Sequence, residues 1–258
     1  MPFDPRFVID VIYTADNSAY LIMTVPTPPL PSGYALVGAI EADPQQAAGI
    51  VLADPRQQRV VSSMLSESNA FGLVAWNDAM KTALVAFRGT QTIWEWIDDL
   101  EAVPVDYLPV AGSGHVHMGF QLVYEHVRQS VRQLLTRGCG GAQRILVTGH
   151  SLGGAIAILS GFEIAKAIGV VPEVYTLAGP RTGAPDFAGN FDRLIPICYR
   201  VVNFMDVVPQ VPLPPVYEHV GQEILVHGGF KPLDVTYAHH LTTYLVGLQK
   251  LLGTPSGG

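Results

Sequence analysis

The sequence predicts an α/β protein with a mainly parallel central sheet and helices on both faces, and three features predict it. Short, nearly uninterrupted apolar runs alternate with stretches of helical periodicity through the second half of the chain. Hydrophobic residues make up 48% of the 258 and charged residues only 14%, which implies a packed core rather than a solvated chain. A domain of this size buries roughly 70–75% of its unfolded surface, so one domain over residues 1–258 is expected.

The elements follow in order. The segment up to about Val25 reads as helical, and the Pro-rich "PTPPLPSGY" (26–34) stops it without being long enough to separate domains. "FGLVAWN" and "TALVAF" are β-type runs joined by the turn-prone "NDAMK", the pattern of adjacent antiparallel strands. Phe120, Val123, Val127, Val131 and Leu134 recur at steps of three and four, which is helical spacing, and "RGCGGAQ" ends that helix. After it come "QRILVTG" as a buried strand, "SLGGAIAILSGFEIAKAIG" as a helix, and "EVYTLAGP" and "CYRVVNFMDVVP" as strands. "RTGAPDFAGNFD", between those two strands, reads as a polar connection. "EILVHGG" is a last strand and "YAHHLTTYLVGLQKLL" the closing helix.

Composition excludes several classes. A net charge of -7, with 15 Lys and Arg forming no basic stripe, argues against nucleic acid as a partner. Cys139 and Cys198 could form one disulfide at most, and two free thiols are expected. The N-terminal stretch is broken by Asp4, Arg6 and Asp10, unlike a signal peptide, and no apolar run of about 18 residues suggests a transmembrane segment. A cytoplasmic or already processed secreted chain is therefore expected.

The chemistry is concentrated in Gly149-His150-Ser151-Leu152-Gly153. Gly-x-Ser-x-Gly between a strand and a helix is the pattern of a nucleophile elbow, in which a tight turn lifts the serine above the sheet edge of an α/β-hydrolase fold. Free N–H groups at the start of the following helix face whatever the serine attacks. Ser151 needs a histidine base, and the base needs a carboxylate, in the chain order serine, acid, histidine. Asp206, at the end of an apolar run, suits the acid. Asp186 and Asp192 read as solvated loop residues, and Asp234 lies too near the histidines to end a separate strand. Order alone leaves His219, His227, His239 and His240 as bases. His150 is expected to point away from the attack side. His115 and His117 would share a face if extended, but without a third ligand nearby a packed or hydrogen-bonded role is expected over a metal pair.

"AFRGT" (86–90), "TIWEWIDDL" (92–100), "VHMGF" (116–120), "GHSLGGAIA" (149–157) and "VVNFMDVVPQVP" (201–212) together resemble the class 3 lipases of the filamentous-fungal triacylglycerol lipase type, from about Val74 to Tyr244. The resemblance implies Ser151 as nucleophile and Asp206 as acid. It also implies His239 as base, because the family histidine is often followed by Tyr five residues later, here Tyr244, with His240 the second choice. Backbone N–H groups of Thr90 and Leu152 would form the oxyanion hole. No cofactor and no metal are implied. The chain departs from the pattern where "HH" replaces the family's frequent "HS", and in lacking the disulfide set of secreted fungal members, so a bacterial or intracellular relative is expected.

A short helical lid is expected over 91–103. Thr92 and Glu95 have capping-box spacing, so a helix would begin near Ile93. Ile93, Trp96, Ile97 and Leu100 would then share one face, with Trp94 on its flank. The expected activity is hydrolysis of carboxylic esters through an acyl-enzyme. The apolar, Trp-rich lid favours acylglycerol substrates and transient contact with a lipid–water interface. An esterase of short-chain or aromatic, feruloyl-type esters is the alternative, and a non-catalytic lipid-binding protein on the same scaffold is the remote one.

Overall fold

The computed structural model describes residues 2–43, 69–90, 104–232, 234 and 236–253. The N-terminal helix α1 runs through Pro5–Phe7, a π-helical stretch Val8–Tyr13 and a regular stretch Thr14–Leu21. Asp4 caps it by accepting from the Arg6 N–H, and Pro5 occupies the first turn, where a missing N–H costs nothing. The strands are β1 (Ala35–Glu41), β2 (Ala70–Asn77), β3 (Thr82–Phe87), β4 (Pro104–Asp106), β5 (His115–His117), β6 (Arg144–His150), β7 (Glu173–Leu177), β8 (Cys198–Asn203) and β9 (Gln222–Val226). The later helices are α2 (Met118–Gly138), α3 (Leu152–Ala167), α4 (Pro185–Leu194) and α5 (Leu241–Gly253).

Seven strands form one sheet in the order β1-β2-β3-β6-β7-β8-β9, and β4 and β5 pair separately. β1, β2 and β3 are antiparallel neighbours, whereas β3, β6, β7, β8 and β9 run parallel. This is the α/β-hydrolase fold, mainly parallel with helices on both faces, as expected. Strand alternation divides its side chains between two cores. Val74, Val85, Phe87, Ile145 and Val147 pack under α2, α3 and α4, while Leu73, Ala75, Leu84, Ala86 and Leu146 face α1 and α5. Because both faces are covered, β3 and β6 are buried along nearly their whole length.

Two elements differ from the sequence expectation. β1 was not anticipated; it adds an edge strand and shows register irregularities between Leu36 and Gly38 and between Ile40 and Glu41. "PDFAGNFDRL" is a helix, α4, rather than a polar connection, because Pro185 opens it and Phe187, Ala188 and Phe191 bury one face. Cys139 and Cys198 are free and buried. Among the described residues, no helix is long and apolar enough to cross a membrane.

α1 carries one acid into the core. Asp16 is fully buried, and its Oδ1 accepts from the Thr148 hydroxyl of β6 at 3.0 Å. Burial pushes its pKa well above the usual carboxylate value, against a smaller opposing effect of the Thr148 bond. A carboxyl with a raised folded pKa costs stability once the pH exceeds its unfolded value, and the cost grows up to the folded pKa. Asp16→Asn is therefore expected to raise the melting temperature by on the order of a few degrees at pH 8, with the advantage fading towards pH 4. Thermal melts followed by circular dichroism across that range test this; a variant that melts lower than the parent at pH 8 would contradict a buried Asp16 whose pKa is raised by the fold.

Candidate active site

Ser151 sits at the turn from β6 into α3 with φ 60 and ψ -129, a left-handed conformation that a non-glycine residue holds only under constraint. Its N–H donates to the Leu177 carbonyl at 2.9 Å, and its carbonyl accepts from Gly154 N at 2.9 Å. The flanking glycines are steric requirements. A Cβ at Gly149 would stand 2.1 Å from the Gly153 oxygen, and one at Gly153 would stand 2.2 Å from the Phe87 oxygen. Helix, elbow and the end of β3 touch backbone to backbone.

Three side chains from separate loops meet there. Ser151 Oγ lies 2.8 Å from His239 Nε2, and His239 Nδ1 lies 2.8 Å from Asp206 Oδ2. All three residues are buried. Asp206 follows β8 in a tight turn, and His239 ends the 3₁₀ turn Tyr237–His239 just before α5. Burial alone would push the Asp206 carboxyl up. The bonds from His239, from the Tyr244 hydroxyl at 2.6 Å and from Val208 N at 3.0 Å outweigh it and hold the group below its usual pKa. Asp206 is thus a satisfied anion beside the imidazole.

The loop that carries Thr90 leaves the end of β3. A Cβ at Gly89 would stand 3.0 Å from both Ser151 Cβ and the His150 oxygen, so Gly89 lets this backbone lie against the elbow. Buried Arg88 donates Nη1 to the Gly89 carbonyl at 2.8 Å and Nε to the Ala70 carbonyl at 2.8 Å. In a trans peptide the N–H opposes the C=O. By fixing the Gly89 carbonyl, Arg88 turns the Thr90 N–H the other way. Leu152 is the first helical residue after Ser151, where backbone N–H groups have no partner within the helix. Thr90 and Leu152 are both buried beside the serine.

The four histidines left open by chain order separate clearly. His239 is in the cluster. His240 is exposed and lies 3.4 Å from the Thr236 hydroxyl. His219 donates Nε2 to the Pro209 carbonyl at 2.7 Å, and burial lowers its pKa to about 3. The His227 ring packs against Phe204. Of the other acids, Asp186 is no free loop residue: it accepts from the Phe187 and His115 N–H groups and pairs with the His115 ring at 2.5 Å. Asp192 accepts from Gly221 N, and Asp234 from the Thr236 hydroxyl and Tyr237 N. His117 is buried and its Nδ1 accepts from Gly119 N at the start of α2, whereas His115 is exposed; the two serve different neighbours. His150 lies behind the triad, its ring 4.8 Å from that of His239. The lid residues Ile93, Trp94, Trp96, Ile97 and Leu100 lie outside the described residues.

Sequence reasoning gave no role to Asn203, the last residue of β8. Its Nδ2 donates to the Ala238 carbonyl at 2.9 Å, its Oδ1 accepts from Gly228 N, and its own N–H donates to the Tyr244 hydroxyl. It binds the histidine loop to the acid strand. Its place in "VVNFMD" was the available signal.

The class 3 lipase family profile matches residues 84–216, and the chain belongs to that family. A lipase from Rhizomucor miehei is 37% identical over 172 residues, 63% of this chain and 46% of that protein. Phospholipase A1-II 6 from Oryza sativa subsp. japonica is 32% identical over 241 residues, 74% of this chain and 58% of that protein. The solved structure of Rhizomucor miehei triacylglyceride lipase superposes with a TM-score of 0.66 at 26% identity, over 87% of this chain and 82% of that one. The chain spans about half the length of the first curated relatives it matches.

The elbow's packing yields a direct test. Gly153→Ala places a methyl against the Phe87 and Arg88 carbonyls, neither of which is a movable side-chain end. A loss of about 1–3 kcal/mol is expected, measured by urea unfolding. An unchanged midpoint would mean that α3 does not press on β3 as described.

Proposed function

We propose that the protein is a serine carboxylic-ester hydrolase acting on acylglycerols through an acyl-enzyme. The observation that carries this reading is the unbroken, buried chain from Ser151 Oγ through His239 to Asp206 at a strained elbow. His239 Nε2 takes the serine proton as Oγ attacks the ester carbonyl, and Asp206 keeps the other ring nitrogen protonated and stabilises the imidazolium. The N–H groups of Thr90 and Leu152 receive the tetrahedral oxyanion. His239 then returns the proton to the departing alcohol. A water, activated by the same base, attacks the acyl-enzyme, and the fatty acid leaves as Ser151 regains its proton. None of these steps calls for a metal or cofactor.

Lipid esters are favoured by the apolar surface around the acid. Phe204, Met205 and Val207 flank Asp206 in the chain and are all exposed. Exposed apolar groups gathered at one site suit contact with a lipid surface. The names of the similar proteins, a lipase and a phospholipase A1, favour the same substrate class. Segment 91–103 is proposed as the lid over this surface, within a single domain of residues 1–258.

A fluorophosphonate probe, with mass spectrometry of the labelled peptide, tests the nucleophile. Label on Ser151 is expected, and Ser151→Ala is expected to lose on the order of 10⁴ to 10⁶ in kcat while remaining folded. His239→Ala is expected to be comparably damaging and His240→Ala mild. A folded, unlabelled protein without esterase activity would turn the reading towards a lipid-binding scaffold.

Substrate class is read from rates on p-nitrophenyl esters of increasing chain length, beside triolein and methyl ferulate. Trp96→Ser is expected to lower activity on emulsified triolein much more than on a dissolved short-chain ester, because a lid stripe matters only where a lipid surface is met. Equal losses on both substrates would remove the lid and leave a plain esterase.

A further inference from the structure

Two polar side chains of α1 reach the strand that carries the elbow. Asp16 meets Thr148, and the Tyr20 hydroxyl lies 2.8 Å from His150 Nδ1. Four residues along a helix and two along a strand both advance about 6 Å. The two contacts therefore form together only when α1 and β6 are in one register.

Beyond His150 the chain of contacts continues. Its Nε2 lies 2.8 Å from the His239 carbonyl oxygen, which can only accept, so Nε2 carries the proton. In the neutral ring Nδ1 is then an acceptor, and Tyr20 is its donor. Burial, with the neighbouring His239 adding to it, lowers the His150 pKa to about 3 and keeps the ring neutral. The same Tyr20 oxygen would stand 2.3 Å from a Cβ on Gly89, so it also abuts the backbone that leads to Thr90.

We propose that Tyr20 is a positioning residue which, through His150, fixes the backbone of His239 so that its Nε2 stays in line with Ser151. This rests on the ester-hydrolase reading of the site. The need is visible in the fold. His239 ends a three-residue turn, and its carbonyl and that of Ala238 are held by His150 and Asn203. Without the Tyr20 hydroxyl, the buried His150 Nδ1 loses its donor, and the ring is held at Nε2 alone. The other tautomer would set a lone pair against the His239 carbonyl.

Tyr20→Phe removes only that oxygen. The test is active-site titration with the fluorophosphonate probe, read as the fraction labelled and the rate constant of labelling, beside kcat and KM on p-nitrophenyl butyrate. The fraction labelled is expected to match the parent. The labelling rate and kcat are expected to fall on the order of tenfold or more, with KM within about twofold because the binding surface is untouched. An unchanged rate overturns the proposal. A smaller labelled fraction that reacts at the parental rate overturns it too, since that pattern marks a purely structural tyrosine.

Should Tyr20→Phe not fold, His150→Gln against His150→Leu decides. The amide keeps a donor for the His239 carbonyl and is expected to retain a faster labelling rate; equal rates overturn the proposal. If the parent takes no label at Ser151, the ester-hydrolase reading fails on its own. Nitrogen-15 NMR of the histidines then decides the positioning claim: His150 is expected as the Nε2–H tautomer in both proteins, with its Nδ1 resonance displaced in Tyr20→Phe from the position of a hydrogen-bonded acceptor, and an unaltered spectrum overturns it.

Discussion

The left-handed backbone of Ser151 is the constraint on which the other arrangements depend. A non-glycine residue in that region costs on the order of 1–3 kcal/mol, and the surroundings must hold it there. They do so by crowding. Gly149 lies against Gly153, Gly153 against the Phe87 and Arg88 carbonyls, and Gly89 against Ser151 itself. Each close approach joins a different element to the turn, so β3, β6, α3 and the loop that carries Gly89 and Thr90 cannot shift independently. The strained serine and the placement of the Thr90 and Leu152 N–H groups are one structural fact seen from two sides.

The same coupling extends to the buried charge. Asp206 is almost wholly removed from water, which alone would favour its protonated form, yet three donors keep it anionic. One donor is the His239 ring and another is Tyr244, which also accepts from Asn203 N. Asn203 in turn holds the Ala238 and Gly228 backbones. A buried carboxylate of this kind demands satisfied partners. The partners it has are the residues that determine where the base sits, so keeping the acid charged and aiming the histidine are met by one network.

How much of this could be read from the sequence follows from how local each signal is. The elbow spans five residues between an apolar strand and an apolar helix, so its pattern survives in the linear chain. The antiparallel pair β2 and β3 is likewise marked by one short turn. β1 is not, because Gly38 and its register irregularities blur the alternation of an edge strand. α4 contains Gly189, Asn190 and two aspartates, residues of low helical preference, and tertiary packing of Phe187 and Phe191 decides its form. Chain order left four histidines, and the family's spacing to Tyr244 pointed to His239. In the fold that spacing acquires a reason, since Tyr244 bonds the same carboxylate oxygen as His239. Contacts such as Tyr20 with His150, separated by 130 positions, leave no periodic trace at all.

The site extends beyond the stretch that the family profile matches. Residues 84–216 contain Thr90, the elbow and Asp206, but His239 and Tyr244 lie beyond them and α1 lies before them. α1 and α5 together cover one whole face of the sheet, burying Leu73, Leu84 and Leu146 with Ile12, Ala19 and Leu248. Uncovered, that face would expose the apolar side of β2, β3 and β6 to water, at about 25 cal/mol for each Å². The two terminal helices are therefore needed by the core before any question of chemistry arises. Since they must pack there anyway, a hydroxyl on one and a tyrosine on the other are delivered to the back of the triad by the same burial that completes the fold.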